Sequence, residues 1–156
     1  MSVRVQTEDF DVGAEVAALK AGRTDIGAIV TFTGTVRDTA KGATITEMSL
    51  EHYPGMTEAE LEQVEGEARR RWPLQATLVI HRVGRLLPGD NIVLVATASA
   101  HRRAAFAAAE FLMDYLKSRA PFWKRETNAA GEGHWVDARE ADEAALERWR
   151  QQLLGD

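Results

Sequence analysis

Lys117 and Lys124 stand on either side of Pro121, and a His101-Arg102 pair lies upstream of them. Amines held close to one another, or partly buried beside aromatic rings such as Phe122 and Trp123, give up protons more readily. An amine tuned in this way can act as nucleophile, general acid or general base. His101 and Arg102 fall in the expected first turn of a helix, where free N–H groups and the positive end of the helix dipole favour an anion. Basic side chains there point to a bound phosphate or carboxylate. Arg37 ends a strand face that also carries Thr31, Thr33 and Thr35. Spacing alone leaves plainer readings open: a surface His-Arg pair, a helix-capping Lys117, an exposed Lys124-Arg125 and a surface ion pair for Arg37.

These residues need elements to position them. Asp11 can cap a short helix with Val12, Val16 and Leu19 on one side. Residues 26–37 alternate as a strand, with Ala28, Val30, Phe32 and Val36 on the face opposite the threonines. Residues 38–43 read as a mobile loop and 44–53 as a strand. Residues 57–72 form the clearest helix: Thr57 and Glu60 make a capping box, and Met56 staples onto Leu61. Its buried stripe is Leu61, Val64, Ala68 and Trp72.

Residues 76–83 and 91–98 are strands joined around Leu87-Pro88-Gly89-Asp90, which suits a type II turn. The apolar run Ile92-Val93-Leu94-Val95-Ala96 marks the second as central. Ser99 caps a helix to about Arg119, with Phe106, Ala109, Met113 and Leu116 inward. Pro121 forces an extended exit. Residues 122–127 and 134–136 flank a Gly131-Glu132-Gly133 turn, and a last helix turns Leu146, Trp149 and Leu153 inward. The order β-β-α-β-β-α-β predicts an α+β domain with largely antiparallel pairing, one domain over residues 1–156.

Composition removes several chemistries. The 156 residues carry a net charge of −5, which argues against a general nucleic-acid binder. No apolar run is long enough to span a bilayer, and the N-terminus lacks a secretory pattern, so the expectation is cytoplasmic with no membrane partner. With no cysteine there is no thiolate nucleophile, persulfide carrier or disulfide. If sulfur is handled, another molecule brings it. His52 and His81 lack metal-ligand spacing, and no HxxH, Walker or dinucleotide pattern is present. Met113 and the tryptophans read as core.

Several stretches together resemble the MoaE family, the large catalytic subunits of molybdopterin synthase. They are Val30-Thr31-Phe32-Thr33-Gly34-Thr35-Val36-Arg37, Leu50-Glu51-His52-Tyr53-Pro54-Gly55-Met56, Ile80-His81-Arg82-Val83-Gly84 and Ser99-Ala100-His101-Arg102. The longest is Met113-Asp114-Tyr115-Leu116-Lys117-Ser118-Arg119-Ala120-Pro121-Phe122-Trp123-Lys124-Arg125-Glu126. The resemblance implies an α/β-hammerhead fold with a largely antiparallel sheet and a small additional β subdomain. It also implies a sulfurtransferase: a homodimer within a heterotetramer, each end carrying a small ubiquitin-like sulfur carrier.

In such an enzyme the carrier's C-terminal Gly-Gly thiocarboxylate gives sulfur to cyclic pyranopterin monophosphate (precursor Z), and two transfers form the molybdopterin dithiolene. This chain ends Leu153-Leu154-Gly155-Asp156 and is not expected to be that carrier. No cofactor or metal is implied. Carried over by position, Lys117 and Lys124 are the catalytic residues. The substrate-binding residues are Thr35, Val36, Arg37, His101, Arg102, Lys117, Lys124, Arg125 and Glu126. Two rivals are an adaptor that binds a ubiquitin-like tail by strand addition and a Schiff-base lysine enzyme acting on a phosphorylated carbonyl.

Overall fold

Residues 91–99, with the apolar run at their centre, form an interior strand of the larger sheet. The computed structural model describes residues 2–136 and 140–155. Along the chain they form β1 (Val3–Gln6), α1 (Val12–Lys20), β2 (Ala28–Thr35), β3 (Thr39–Ala40), β4 (Ala43–His52), α2 (Met56–Arg71) and β5 (Leu74–Arg82). There follow β6 (Gly84–Leu86), β7 (Asn91–Ser99), α3 (Arg102–Ser118), β8 (Phe122–Asn128), β9 (Gly133–Val136) and α4 (Glu140–Gly155).

The first sheet has the order β1-β5-β7-β2, and β7 runs antiparallel to both its neighbours. Only one face of an ordinary half-buried strand is apolar, but β7 is covered on both. Val93 and Val95 join a cluster with Leu61, Val64 and Ala68 of α2, Phe111 and Leu112 of α3, and Leu146 and Trp149 of α4. Leu94 and Ala96 face the other way, onto Leu78, Ile80 and Phe10, with Val12 and Leu19 of α1 packed against them. Double burial is the physical reason for the continuous apolar run. The second sheet has the order β3-β4-β8-β9, with β6 also paired to β4. Val36, Met48, Leu50, Val83 and Leu86 fill the junction between the two sheets. The expected mixed α and β architecture with largely antiparallel sheets is what the chain adopts.

Several local expectations need correction. No strand is expected before the first helix, yet β1 pairs parallel to β5, with Val3 opposite Val79. A four-residue strand whose partner is so distant leaves little local pattern. Residues 38–43 are not a mobile loop. Ala40 pairs with Ala43, and Lys41 and Gly42 both have positive φ, 52° and 79°, as a tight type I′ hairpin turn requires. The expected Leu87-Pro88-Gly89-Asp90 turn does form, with Gly89 at φ 92° and Asp90 N–H donating to the Leu87 carbonyl at 2.9 Å.

The start of α2 also differs. Gly55 is its N-cap, and Glu58, not Glu60, accepts from the Gly55 N–H. Thr57 bridges instead, accepting from Tyr53 N–H and donating to the Pro121 carbonyl. Met56 is 61% exposed and staples nothing. In α3 the buried stripe is Ala104, Ala105, Ala108, Ala109, Phe111, Leu112, Tyr115 and Leu116, while Phe106 is 63% exposed and Met113 half-buried. The alanines let the helix lie close on β7, so its inward face follows the small residues rather than the larger Phe106. His101 is the N-cap of α3; Ser99 Oγ accepts a long 3.4 Å bond from His101 N–H and donates to the Pro73 carbonyl. Of the tryptophans expected in the core, Trp149 is buried and Trp72 packs beside it, but Trp123 and Trp135 are exposed. Leu146 is buried as expected; the side chain of Leu153 lies outside the described residues.

Phe111 is fully buried against Trp72, Tyr115 and Trp149. Phe111→Ala should therefore lower stability by about 3–5 kcal/mol, read as a shifted urea midpoint with an unchanged slope.

Candidate active site

The two sheets do not close completely against the end of α3, and a cleft of about 380 Å³ remains between them. Its apolar lining includes Val36, Ile45, Met48, Leu50, Ile92, Leu116 and Phe122. Its charged lining is Arg37, Lys117, Lys124 and Glu126, three cations against one carboxylate in a chain that is acidic as a whole. Local potential and net charge thus have opposite signs, and the cleft suits an anion.

Each charged group arrives by a different route. Lys117 lies in the last turn of α3, where a cation also suits the helix dipole. Ala120 and Pro121 then turn the chain into β8, which pairs with β4 along residues 45–52. Alternation along β8 puts Lys124 and Glu126 on the cleft side, with Nζ and Oε1 3.5 Å apart. Glu126 is buried and Lys124 half-buried, so the pair is screened less than a surface one. Arg37 follows β2 beyond a register shift between Gly34 and Thr35. Val36 N–H donates to the Asp90 carbonyl and Gly89 N–H donates to the Val36 carbonyl, clamping the backbone next to Arg37. Among the described residues Arg37 has no ion-pair partner, which leaves its planar donor fork available to a phosphate.

Of the residues named from the sequence, Thr35, Val36, Arg37, Lys117, Lys124 and Glu126 line this one cleft. Three do not. Arg125 is on the opposite face of β8, exposed, with its guanidinium packed so closely over Gly133 that a Cβ there would lie 2.4 Å from Nε. His101 and Arg102 are at the far end of the helix that ends near Lys117. At a rise of roughly 1.5 Å per residue, that is about 24 Å away, too far for a side chain of the same chain to reach.

Besides the apolar wall, a titratable residue of the lining was not named from the sequence. His81, near the end of β5, is buried and stacked on Phe122. Burial drives its pKa from 6.5 down to about 4, the neighbouring charges of Lys117 and His52 add to the fall, and a hydrogen bond to the Arg82 carbonyl opposes it. The signal was present: along β5, His81 shares a face with Val79, and Val79 is core. Among the described residues no three His, Asp or Glu side chains gather as a metal site needs, and no helix is long and apolar enough to cross a membrane.

A cationic cleft with two amines and no thiol suits anionic ligands and amine rather than thiol chemistry. Comparison with known proteins narrows this further. Residues 5–119 match the model of the family described as MoaE protein. A molybdopterin synthase catalytic subunit from Ralstonia nicotianae is 62% identical over 148 residues, which is 95% of this chain and 84% of that protein. The molybdopterin biosynthesis MoaE protein of Burkholderia ambifaria superposes with a TM-score of 0.81 at 57% identity, covering 95% of this chain and 97% of that one. The crystal structure of molybdopterin synthase from Staphylococcus aureus gives a TM-score of 0.81 at 30% identity, over 88% of this chain and 98% of that one. The chain belongs to the MoaE family, the catalytic subunits of molybdopterin synthase.

His81 makes folding sensitive to acid. The unfolded chain takes up its proton below the ordinary value of 6.5, while the folded chain resists until about 4. The group's contribution is therefore complete above about pH 6.5 and is lost as pH falls towards 4, by roughly 3 kcal/mol. Urea titrations at pH 7 and pH 4.5 should show a smaller loss in His81→Phe than in the unaltered protein.

Proposed function

We propose that this cleft is where sulfur passes from the thiocarboxylated Gly-Gly tail of a small ubiquitin-like subunit to cyclic pyranopterin monophosphate, building the molybdopterin dithiolene. The observation that carries the reading is the meeting of Lys117, Lys124 and Arg37, which has no ion-pair partner among the described residues, in one cleft of a cysteine-free MoaE-family chain. The carrier supplies the sulfur that this chain cannot. The apolar wall accepts a narrow, uncharged Gly-Gly segment, and the cations hold its terminal anion.

In this scheme Lys117 stands beside the thiocarboxylate and activates or transiently accepts its acyl group. Lys124 moves protons as the pterin's added ring opens and its leaving oxygen departs, with Glu126 keeping the ammonium in place. Arg37 binds the cyclic phosphate in bidentate fashion. Thr35 and Val36 flank it along the wall. The whole chain works as one domain in the cytoplasm, in a heterotetramer of two such chains and two carriers.

His101 and Arg102 enter this scheme through a second copy of the chain. Their first-turn position on α3 suits a phosphate, yet they lie too far from their own cleft to reach it. In a homodimer they complete the cleft of the partner. Arg125, on the other face of β8, serves the site only by supporting the β8–β9 hairpin.

The first test mixes this protein, thiocarboxylated carrier and precursor Z and detects molybdopterin as its fluorescent oxidation product. Product that needs all three components is expected, and its absence despite a stable complex with the carrier would leave an adaptor. Lys117→Ala and Lys124→Ala should each lose at least about a hundredfold in kcat while still binding carrier, as for removal of a catalytic acid, base or nucleophile. Near-normal turnover in either removes that residue from the mechanism. A mixture of Lys117→Ala and Arg102→Ala chains, each inactive alone, should regain activity, because a mixed dimer contains one intact composite cleft. No recovery, with mixed dimers demonstrated, excludes the second-copy role.

A further inference from the structure

The His81 ring is fixed on two sides. One face stacks on Phe122, with centroids 3.8 Å apart and planes 19° from parallel. Nδ1 lies 2.9 Å from the Arg82 carbonyl oxygen. A carbonyl can only accept, so Nδ1 carries the ring proton and Nε2 is left as an acceptor on a residue that lines the cleft. Facing the cleft, Nε2 can take a hydrogen bond from a donor on the same wall.

The neighbouring charged groups narrow the choice. His52, from β4, lies with Nε2 3.5 Å from Glu58 Oε1 and is directed towards that carboxylate. Arg82 donates to the carbonyls of Thr7 and Asn91. Across the cleft, Lys124 is paired with Glu126. Lys117, from α3, shares the cleft wall with His81, and its charge acts directly on the ring.

We propose that His81 is a positioning residue for Lys117, with Nε2 accepting a hydrogen bond from the Lys117 ammonium and holding it where the carrier's acyl group arrives. The proposal rests on the role of Lys117 given above. A neutral imidazole suits the task better than a carboxylate would. It anchors the amine without cancelling its charge or repelling the anionic substrates.

Three substitutions separate acceptor from ring. Phe keeps the stack and removes both nitrogens, Asn places its amide near the Nδ1 position, and Gln places its amide near Nε2. In the complete synthase assay, His81→Phe and His81→Asn should lower kcat about tenfold, as expected for one lost bond to a charged group, with little change in KM for the pterin. His81→Gln should recover most of that loss. Carbon-13-labelled lysine spectra of the isolated protein, with the Lys117 signal assigned by Lys117→Arg, give a readout that needs no activity. Loss of the acceptor destabilises the ammonium, so Lys117 should titrate at lower pH in the Phe and Asn variants and return towards the unaltered value with Gln.

An unchanged Lys117 titration in folded His81→Phe overturns the proposal. So does His81→Gln behaving like His81→Phe in both measurements, which would assign the role to the ring stack. If the unaltered protein transfers no sulfur, the functional reading fails while the lysine titration still decides the contact.

Discussion

Between Ser118, the last residue of α3, and Phe122, the first of β8, the chain changes from helix to strand across Pro121. Proline disfavours helix at the residue before it and cannot donate a backbone hydrogen bond. The turn is held from outside as well, because Thr57 at the start of α2 donates to the Pro121 carbonyl while accepting from Tyr53 N–H. Thr57 is completely buried, so these bonds are not exchanged with water. The consequence is geometric. A helix-end lysine and a strand lysine, close in sequence, come to line one cleft from two directions. The cleft itself exists because β8 must also pair with β4 and cannot fold flat against α3.

Electrostatics divides the molecule in the same way. Nine of the fifteen arginines pair with carboxylates among the described residues, several of them at helix surfaces, as in Arg70 and Arg71 with Glu67 or Arg119 with Glu60. Such pairs are worth little individually, but they leave those guanidiniums partly satisfied. Arg37 is placed differently, on a clamped strand end with no carboxylate partner among the described residues. The acidic surplus of the chain therefore lies away from the cleft. The cleft's walls are largely apolar and its fixed charges mainly positive, a setting in which contacts to an anion are strengthened.

The helix α3 links stability to function. Its alanine-rich face lies against β7, its Phe111 sits among Trp72, Tyr115 and Trp149, and its last turn presents Lys117. Its first turn, carrying His101 and Arg102, faces solvent in the single chain. A rigid rod of this length holds its two ends in different surroundings, one at the cleft and one in solvent.

The sequence by itself determined the element types wherever periodicity was long: α2, α3, β5 and β7 stand close to where their patterns place them, and Pro121 marks the break between the two lysines. It also determined the chemistry that is absent, since a chain without cysteine must receive its sulfur. Tertiary structure decided the rest. β1 and the β3–β4 hairpin draw their stability from pairing partners rather than from local pattern. The inward face of α3 was set by the close approach of its alanines to β7, which turned Phe106 outward. Arg125 was separated from Lys124 and Glu126 by strand alternation, whose phase relative to the cleft depends on pairing with β4. His81 was only half legible: alternation with Val79 put it on the core face, but the stacking of Phe122 on its ring came from packing alone. The distance between Arg102 and Lys117 follows from helix length, but what it means depends on where the cleft opens.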